Sequence, residues 1–163
     1  MNAAARRNPF VTVLQAEIYI AAPAERAWAV LSDTSSFPQW NPFLTQISGT
    51  LAEGAELTVR MNPLEGSPRT FKSTVTKLRP GRELRWRGRL GVPGLFDGEH
   101  AFVLEPLGPT TVHLVHRERF SGLLVPLLAR TLRARYLPAF EAMNAAVRVR
   151  AEQGAEVSSH ARG

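Results

Sequence analysis

The sequence predicts an α+β fold: an antiparallel sheet with one face closed by a single long C-terminal helix. Three observations predict it. Period-two alternation of apolar and polar residues runs through much of residues 44–120. An apolar stripe at helical spacing follows, from near Leu123 to about Glu152. Ahead of both lie a strand-like run, a short helical pattern carrying Trp28 and a Trp-Asn-Pro turn at Trp40–Pro42. A sheet that buries one face against one helix leaves a gap that neither element fills, and such a gap is a natural ligand cavity.

Each element follows from its residues. Residues 1–9 read as a disordered N-terminal tail and residues 153–163 as a disordered C-terminal tail, leaving one domain over 10–152. Phe10 to Ile20 is rich in β-branched and aromatic residues and predicts the first strand. Pro23 suits the first turn of a helix, where its missing N–H has no intrahelical partner to lose. Ala27, Trp28 and Leu31 share one side of that helix, and a second short helix or turn begins at Thr34. Pro38 and Pro42 bracket Trp40-Asn41 and predict a fixed, extended loop.

Beyond Leu44, Leu57, Val59 and Met61 alternate with polar neighbours, as do Phe71, Ser73 and Val75. In Glu83–Arg89, Leu84, Trp86 and Gly88 point one way and Glu83, Arg85, Arg87 and Arg89 the other, a half-buried strand with a basic outer face. Phe96–Glu105 and Thr111–Phe120 predict a hairpin turning at Gly108-Pro109. Gly91-Val92-Pro93-Gly94 is a loop whose glycines would permit a lid to hinge. The closing helix carries Leu128, Leu132, Tyr136, Phe140, Met143 and Val147 as its sheet-facing stripe. Its apolar start, Leu123–Leu128, reads as about half core, with the rest left as a portal or partner surface.

Composition bounds the function. The 163 residues suit one domain that buries roughly two-thirds or more of its unfolded surface. No stretch reaches the ~20 apolar residues that span a bilayer, and no apolar segment suggestive of a signal peptide precedes the first strand. The absence of cysteine removes disulfides and thiolate metal sites and fits a reducing cytoplasm. A net charge of +6 invites a nucleic-acid or anionic-membrane reading. However, 18 of the 20 basic residues are Arg and only Lys72 and Lys77 are Lys, the bias that a GC-rich bacterial genome produces without selection for binding.

Four segments carry a family resemblance: Ala22-Pro23-Ala24-Glu25 followed by Trp28; Phe37-Pro38-Gln39-Trp40-Asn41-Pro42-Phe43; Gly98-Glu99-His100-Ala101-Phe102; and Glu118-Arg119-Phe120-Ser121-Gly122 before the long helix. In this order, over roughly residues 10–152, the chain resembles the START-like (SRPBCC) superfamily of polyketide cyclase/dehydrase type. The resemblance implies a helix-grip fold. Its seven-stranded antiparallel sheet would curve around the C-terminal helix, with two short helices between the first and second strands and a deep apolar cavity. It implies no single reaction, since lipid and hormone binders, aromatase/cyclases and chaperone-binding modules share the fold.

Strand parity then selects the cavity chemistry. With Leu84 and Trp86 inward, Phe102, Leu104, Val112 and Leu114 join them, and so do His100, His116 and Glu118. Inward residues pair with inward residues, so His100 lies opposite either His116 or Glu118, about 5 Å apart at Cβ, provided no bulge intervenes. These three groups either satisfy one another's hydrogen bonds, orient the polar end of a ligand, or act as acid and base in cyclisation or dehydration. They are the candidate catalytic residues. Trp40, Trp86, His100, Phe102, His116, Glu118 and Phe140 are the candidate ligand-binding set, with the aromatics packing an apolar body.

No cofactor is expected, since no Gly-rich phosphate loop follows a strand, and no metal, since the two His and the carboxylate share one hairpin without helical spacing. The expected function is binding of a small hydrophobic molecule, whether lipid, polyketide or aromatic metabolite, in the cytoplasm. The first alternative is a cyclase or dehydratase. The second is an anion-binding surface built from Arg85, Arg87, Arg89, Lys72 and Lys77. Nucleic acid is not the expected partner, because that face lacks interleaved aromatics; a membrane surface stays open.

Overall fold

Alternation of buried and exposed side chains organises seven strands into one antiparallel sheet of order β1-β7-β6-β5-β4-β3-β2. The computed structural model describes the backbone of residues 8–63 and 66–160, with side chains as far as residue 153. The strands are β1 (Val11–Ile20), β2 (Leu44–Ser48), β3 (Glu56–Met61), β4 (Arg69–Arg79), β5 (Glu83–Leu90), β6 (Phe96–Gly108) and β7 (Thr111–Ser121). In β1 the buried residues are Leu14, Ala16 and Ile20, spaced by even numbers as a one-sided strand demands.

The first strand pairs with the last, and β2 forms the opposite edge, so the chain must cross the sheet between them. Helix α1 (Ala24–Ser32), a 3-10 turn at Thr34–Ser36 and the one-turn helix α2 (Phe37–Trp40) make that crossing. α1 buries Ala24, Ala27 and Leu31. Helix α3 (Val125–His160) lies across the inner face, packed on β1 and β7 and against α1. This is the helix-grip arrangement, a curled sheet around one long helix.

Several sequence expectations change here. The pair of prolines does not hold Trp40 in an extended loop. Pro38 sits in the first turn of α2, where a missing N–H costs nothing, and helix rather than extended backbone results. Asn41 then ends the turn, its Oδ1 accepting the backbone N–H groups of Phe43 and Leu44 at 3.0 and 2.9 Å.

α3 also runs further than the apolar stripe predicts, to His160 in place of about Glu152. The lone Gly154 costs a helix only about 1 kcal/mol and does not stop it. The expected disorder of 1–7 and 161–163 lies outside the described residues, while Asn8 accepts the Phe10 N–H at 2.9 Å. Leu128 leaves the sheet-facing stripe and is 37% exposed, whereas Leu132, Tyr136, Phe140, Met143 and Val147 are buried as expected. Of the apolar helix start, Val125 is core and Leu123 and Leu127 are exposed.

The 91–95 loop is tied down. Leu123 and Leu124 donate their N–H groups to the Gly94 and Leu95 carbonyls at 3.0 and 3.1 Å. Gly122 permits this approach: its φ is 131°, and a Cβ there would stand 2.5 Å from the Leu95 carbonyl oxygen.

Candidate functional site

The register of β6 on β7 builds the site. His100 stands opposite Glu118 and Phe102 opposite His116, which resolves the pairing that parity leaves open. A bulge does intervene, between Pro106 and Gly108, and it helps rather than harms. Gly108 pairs with Thr111 at the turn; continued unbroken, that register would set His100 against Arg119, which faces outward. One extra residue, Leu107, restores inward-to-inward pairing.

The inward groups form a continuous hydrogen-bonded chain. His100 Nδ1 is hydrogen-bonded to Glu118 Oε2. His100 Nε2 faces His116 Nε2 at 2.9 Å, and His116 Nδ1 meets Asn144 Oδ1 of α3 at 3.0 Å. Aromatic faces hold the imidazoles flat. His100 stacks on Trp86 with centroids 4.8 Å apart and planes 3° apart, and His116 stacks on Phe140 at 4.1 Å.

Gly98 makes room for the carboxyl group. A Cβ at residue 98 would lie 2.7 Å from Glu118 Oε1.

Burial dominates the electrostatics. Desolvation pushes Glu118 up to about 8, helped by the charge of Glu99, and pulls His100 down to about 3. His116 falls well below its ordinary value, through burial first and the neighbouring His100 second; Asn144 and the Phe140 carbonyl oppose the shift. Burial thus favours the pairing of a carboxylic acid with a neutral imidazole over an ion pair at the His100–Glu118 contact.

Beside this wall lies a cavity of about 150 Å³. Phe43, Leu44, Trp86, Phe120 and Phe140 give it an apolar lining, and Glu118 and His100 supply polar atoms at its inner side. Its mouth carries Arg69, Thr70, Arg89 and the 57%-exposed Leu90. Tyr136 also borders the space, and burial raises its hydroxyl.

Of the seven predicted ligand-binding residues, Trp86, His100, Glu118 and Phe140 border the cavity. His116 and Phe102 lie behind that wall, with Phe102 edge-on to His100 at 4.9 Å. Trp40 lies elsewhere: its Nε1 donates to Ser36 Oγ at 3.0 Å and the Arg150 guanidinium covers its ring at 5.3 Å, so it packs α2 onto the end of α3. Sequence reasoning missed Asn144 and the wall residues Phe43, Phe71 and Phe120. For Asn144 a signal existed: it is the one polar side chain in the buried stripe Phe140, Met143, Asn144, Val147.

The basic outer face is paired rather than free. Lys72 meets Glu56 at 2.7 Å, Lys77 meets Glu83 at 2.7 Å and Arg87 meets Glu99 at 2.9 Å. Arg85 bonds Glu83, and Arg89 lies 3.6 Å from Asp97. Among the described residues, no three His, Cys, Asp or Glu side chains are arranged to hold a metal ion. Among them too, no helix is long and apolar enough to cross a membrane.

Fold and site together define a class: a helix-grip protein with an apolar hollow and a carboxyl–imidazole pair in its wall. The chain belongs to the polyketide cyclase / dehydrase and lipid transport family, whose model matches residues 12–152. Among solved structures it is similar to the Zhui aromatase/cyclase from Streptomyces sp. R1128, with 22% identity over 88% of this chain and 94% of that one and a TM-score of 0.71. A START superfamily protein from Mycobacterium smegmatis shows 23% identity over 86% of this chain and 97% of that one, with a TM-score of 0.66. A norcoclaurine synthase from Thalictrum flavum shows 14% identity over 88% and 96%, with a TM-score of 0.67. At these identities the likeness carries the fold alone. No curated protein matches the chain by sequence.

Proposed function

We propose that this protein binds a small, mostly apolar molecule in the hollow between the sheet and α3: a lipid segment, a polyketide or an aromatic metabolite. One observation carries the reading. A cavity of about 150 Å³ is walled by aromatic side chains and meets a carboxyl and an imidazole at one side. An apolar space of this size takes a single benzene ring, so an aromatic or short acyl portion fills it and the remainder extends past Arg69 and Arg89. The family description, with its polyketides and lipids, supports the same class.

Titration with an apolar fluorescent probe, N-phenyl-1-naphthylamine, is expected to show saturable binding. Phe71→Asp, which sets a charge in a half-exposed part of the apolar wall, should weaken it at least ~10-fold. Absence of saturable binding by the wild-type protein would overturn the reading. Native mass spectrometry of the purified protein would identify any small molecule that stays bound.

The second reading is an enzyme of cyclase or dehydratase type with the same pair as acid and base, favoured by the direct contact of Glu118 with His100. It ranks second because the acid and the base are engaged with each other. Turnover of a tested polyketide substrate, lost in Glu118→Gln, would promote it.

A further inference from the structure

The four linked groups have a direction, and α3 sets it. Asn144 presents its Oδ1 to His116 Nδ1, so that nitrogen must carry the proton. A neutral His116 with Nδ1–H has a bare Nε2, which accepts from His100 Nε2–H across 2.9 Å. In its neutral form, which burial favours, His100 then has a bare Nδ1, and the atom facing it, Glu118 Oε2, donates. Every hydrogen bond thus runs from β7 toward α3, and Glu118 spends its acidic proton on His100. Its other oxygen, Oε1, is left as a carbonyl-type acceptor above Gly98, beside the cavity.

Reversing the chain would turn the carboxyl around, so that an O–H faced the cavity and sought a ligand carbonyl. Flipping the Asn144 amide alone does not achieve this. The proton must also change nitrogen on both imidazoles and leave Glu118 Oε2, so all four groups turn together. Nor does the chain conduct a proton onward, since Asn144 neither gives nor takes one. The arrangement polarises a ligand contact and ends there.

We propose that the Glu118–His100–His116–Asn144 chain makes the cavity select apolar ligands carrying a hydroxyl donor, a phenol above all, over ligands carrying a carbonyl acceptor. The proposal rests on the reading that the hollow binds a small apolar molecule, and Asn144 acts in it as a positioning residue. Four single-ring probes test it by calorimetric titration of the full chain: 4-propylphenol, 4-propylanisole, 4-propylacetophenone and butylbenzene. The phenol is expected to bind about five- to tenfold more tightly than the ether or the ketone, the range of one neutral hydrogen bond. In Glu118→Leu the phenol and the ether should become equal while butylbenzene keeps its affinity.

A ketone preference, equal binding of phenol and ether by the wild type, or a phenol preference that survives Glu118→Leu would overturn the proposal. If none of the four binds, including butylbenzene, the parent reading of the hollow falls. The direction of the chain is decided separately, without any ligand or variant, by nitrogen NMR of histidine-labelled protein at pH 7. His100 should carry its proton on Nε2 and His116 on Nδ1; a proton on His100 Nδ1 overturns the assignment.

Discussion

Glu118 and His100 pull stability in opposite pH directions, and the signs follow from their environments. Folding raises Glu118 to about 8, so the folded state keeps a proton that the unfolded chain begins to lose near the ordinary carboxylate value. Its contribution falls as pH rises and levels off above about 8. Folding lowers His100 to about 3 and His116 in the same direction, so the unfolded chain takes up protons first as pH falls below about 6.5, and stability falls with it. Two imidazoles outweigh one carboxyl in the range where both act, which places the optimum near pH 6.5. Glu118→Gln, whose amide N–H still donates to His100 Nδ1, should remove the alkaline limb. Between pH 6.5 and 8.5 the wild type should fall by about 2 kcal/mol relative to the variant, measured as denaturant midpoints. Parallel pH curves would mean that Glu118 is ionised in the folded state.

At the scale of elements, the joint between the 91–95 loop and the start of α3 is held by two backbone hydrogen bonds and a close approach at Gly122. Gly122 and Gly54 both have positive φ, 131° and 83°, but a Cβ at Gly54 meets nothing within 4 Å. Gly54→Ala should therefore cost only the conformational term, about 1 kcal/mol. Gly122→Ala adds a clash with the Leu95 carbonyl at 2.5 Å and should cost about 2 kcal/mol or more, with loss of the two loop hydrogen bonds. Equal melting temperatures for the two variants would show that the loop is not held there. This joint also marks where sequence reading stops. Two glycines around Val92-Pro93 suggest a hinge, but only the backbone path shows Gly122 bringing the loop against the helix.

Parity, by contrast, was legible. The inward placement of Trp86, His100, His116 and Glu118 follows from alternation, and the helical stripe from Leu132 to Val147 follows from spacing. The register was not, because it depends on one unpaired residue, Leu107, that no periodicity reveals. Trp40 misled for a local reason: Pro38 enters a helix turn as readily as an extended loop, and the choice turns the indole toward Ser36 and Arg150.

At the scale of the whole molecule, the hollow itself destabilises the fold. A cavity of about 150 Å³ forgoes side-chain dispersion contacts that a tightly packed core would make, at roughly 24 cal/mol per Å³ in core-truncation series. A fold that keeps such a space trades stability for binding. Met61 tests this trade because it borders the cavity, is half-buried and lies at the end of β3, so a larger side chain enters the space without displacing a deep core residue. Met61→Trp should raise stability by about 1 kcal/mol, seen as a melting temperature ~2–4 °C higher. The same change should abolish binding of the apolar probe, because the indole occupies the volume the ring of the ligand would take. Bound ligand should stabilise the wild type in turn, by about 2.7 kcal/mol at a hundredfold excess over its dissociation constant, and should leave the variant unmoved. A variant that gained stability and still bound the probe would place the ligand outside the space between sheet and helix. A variant that lost stability would mean that the wall residues close on one another and that the hollow costs the fold nothing.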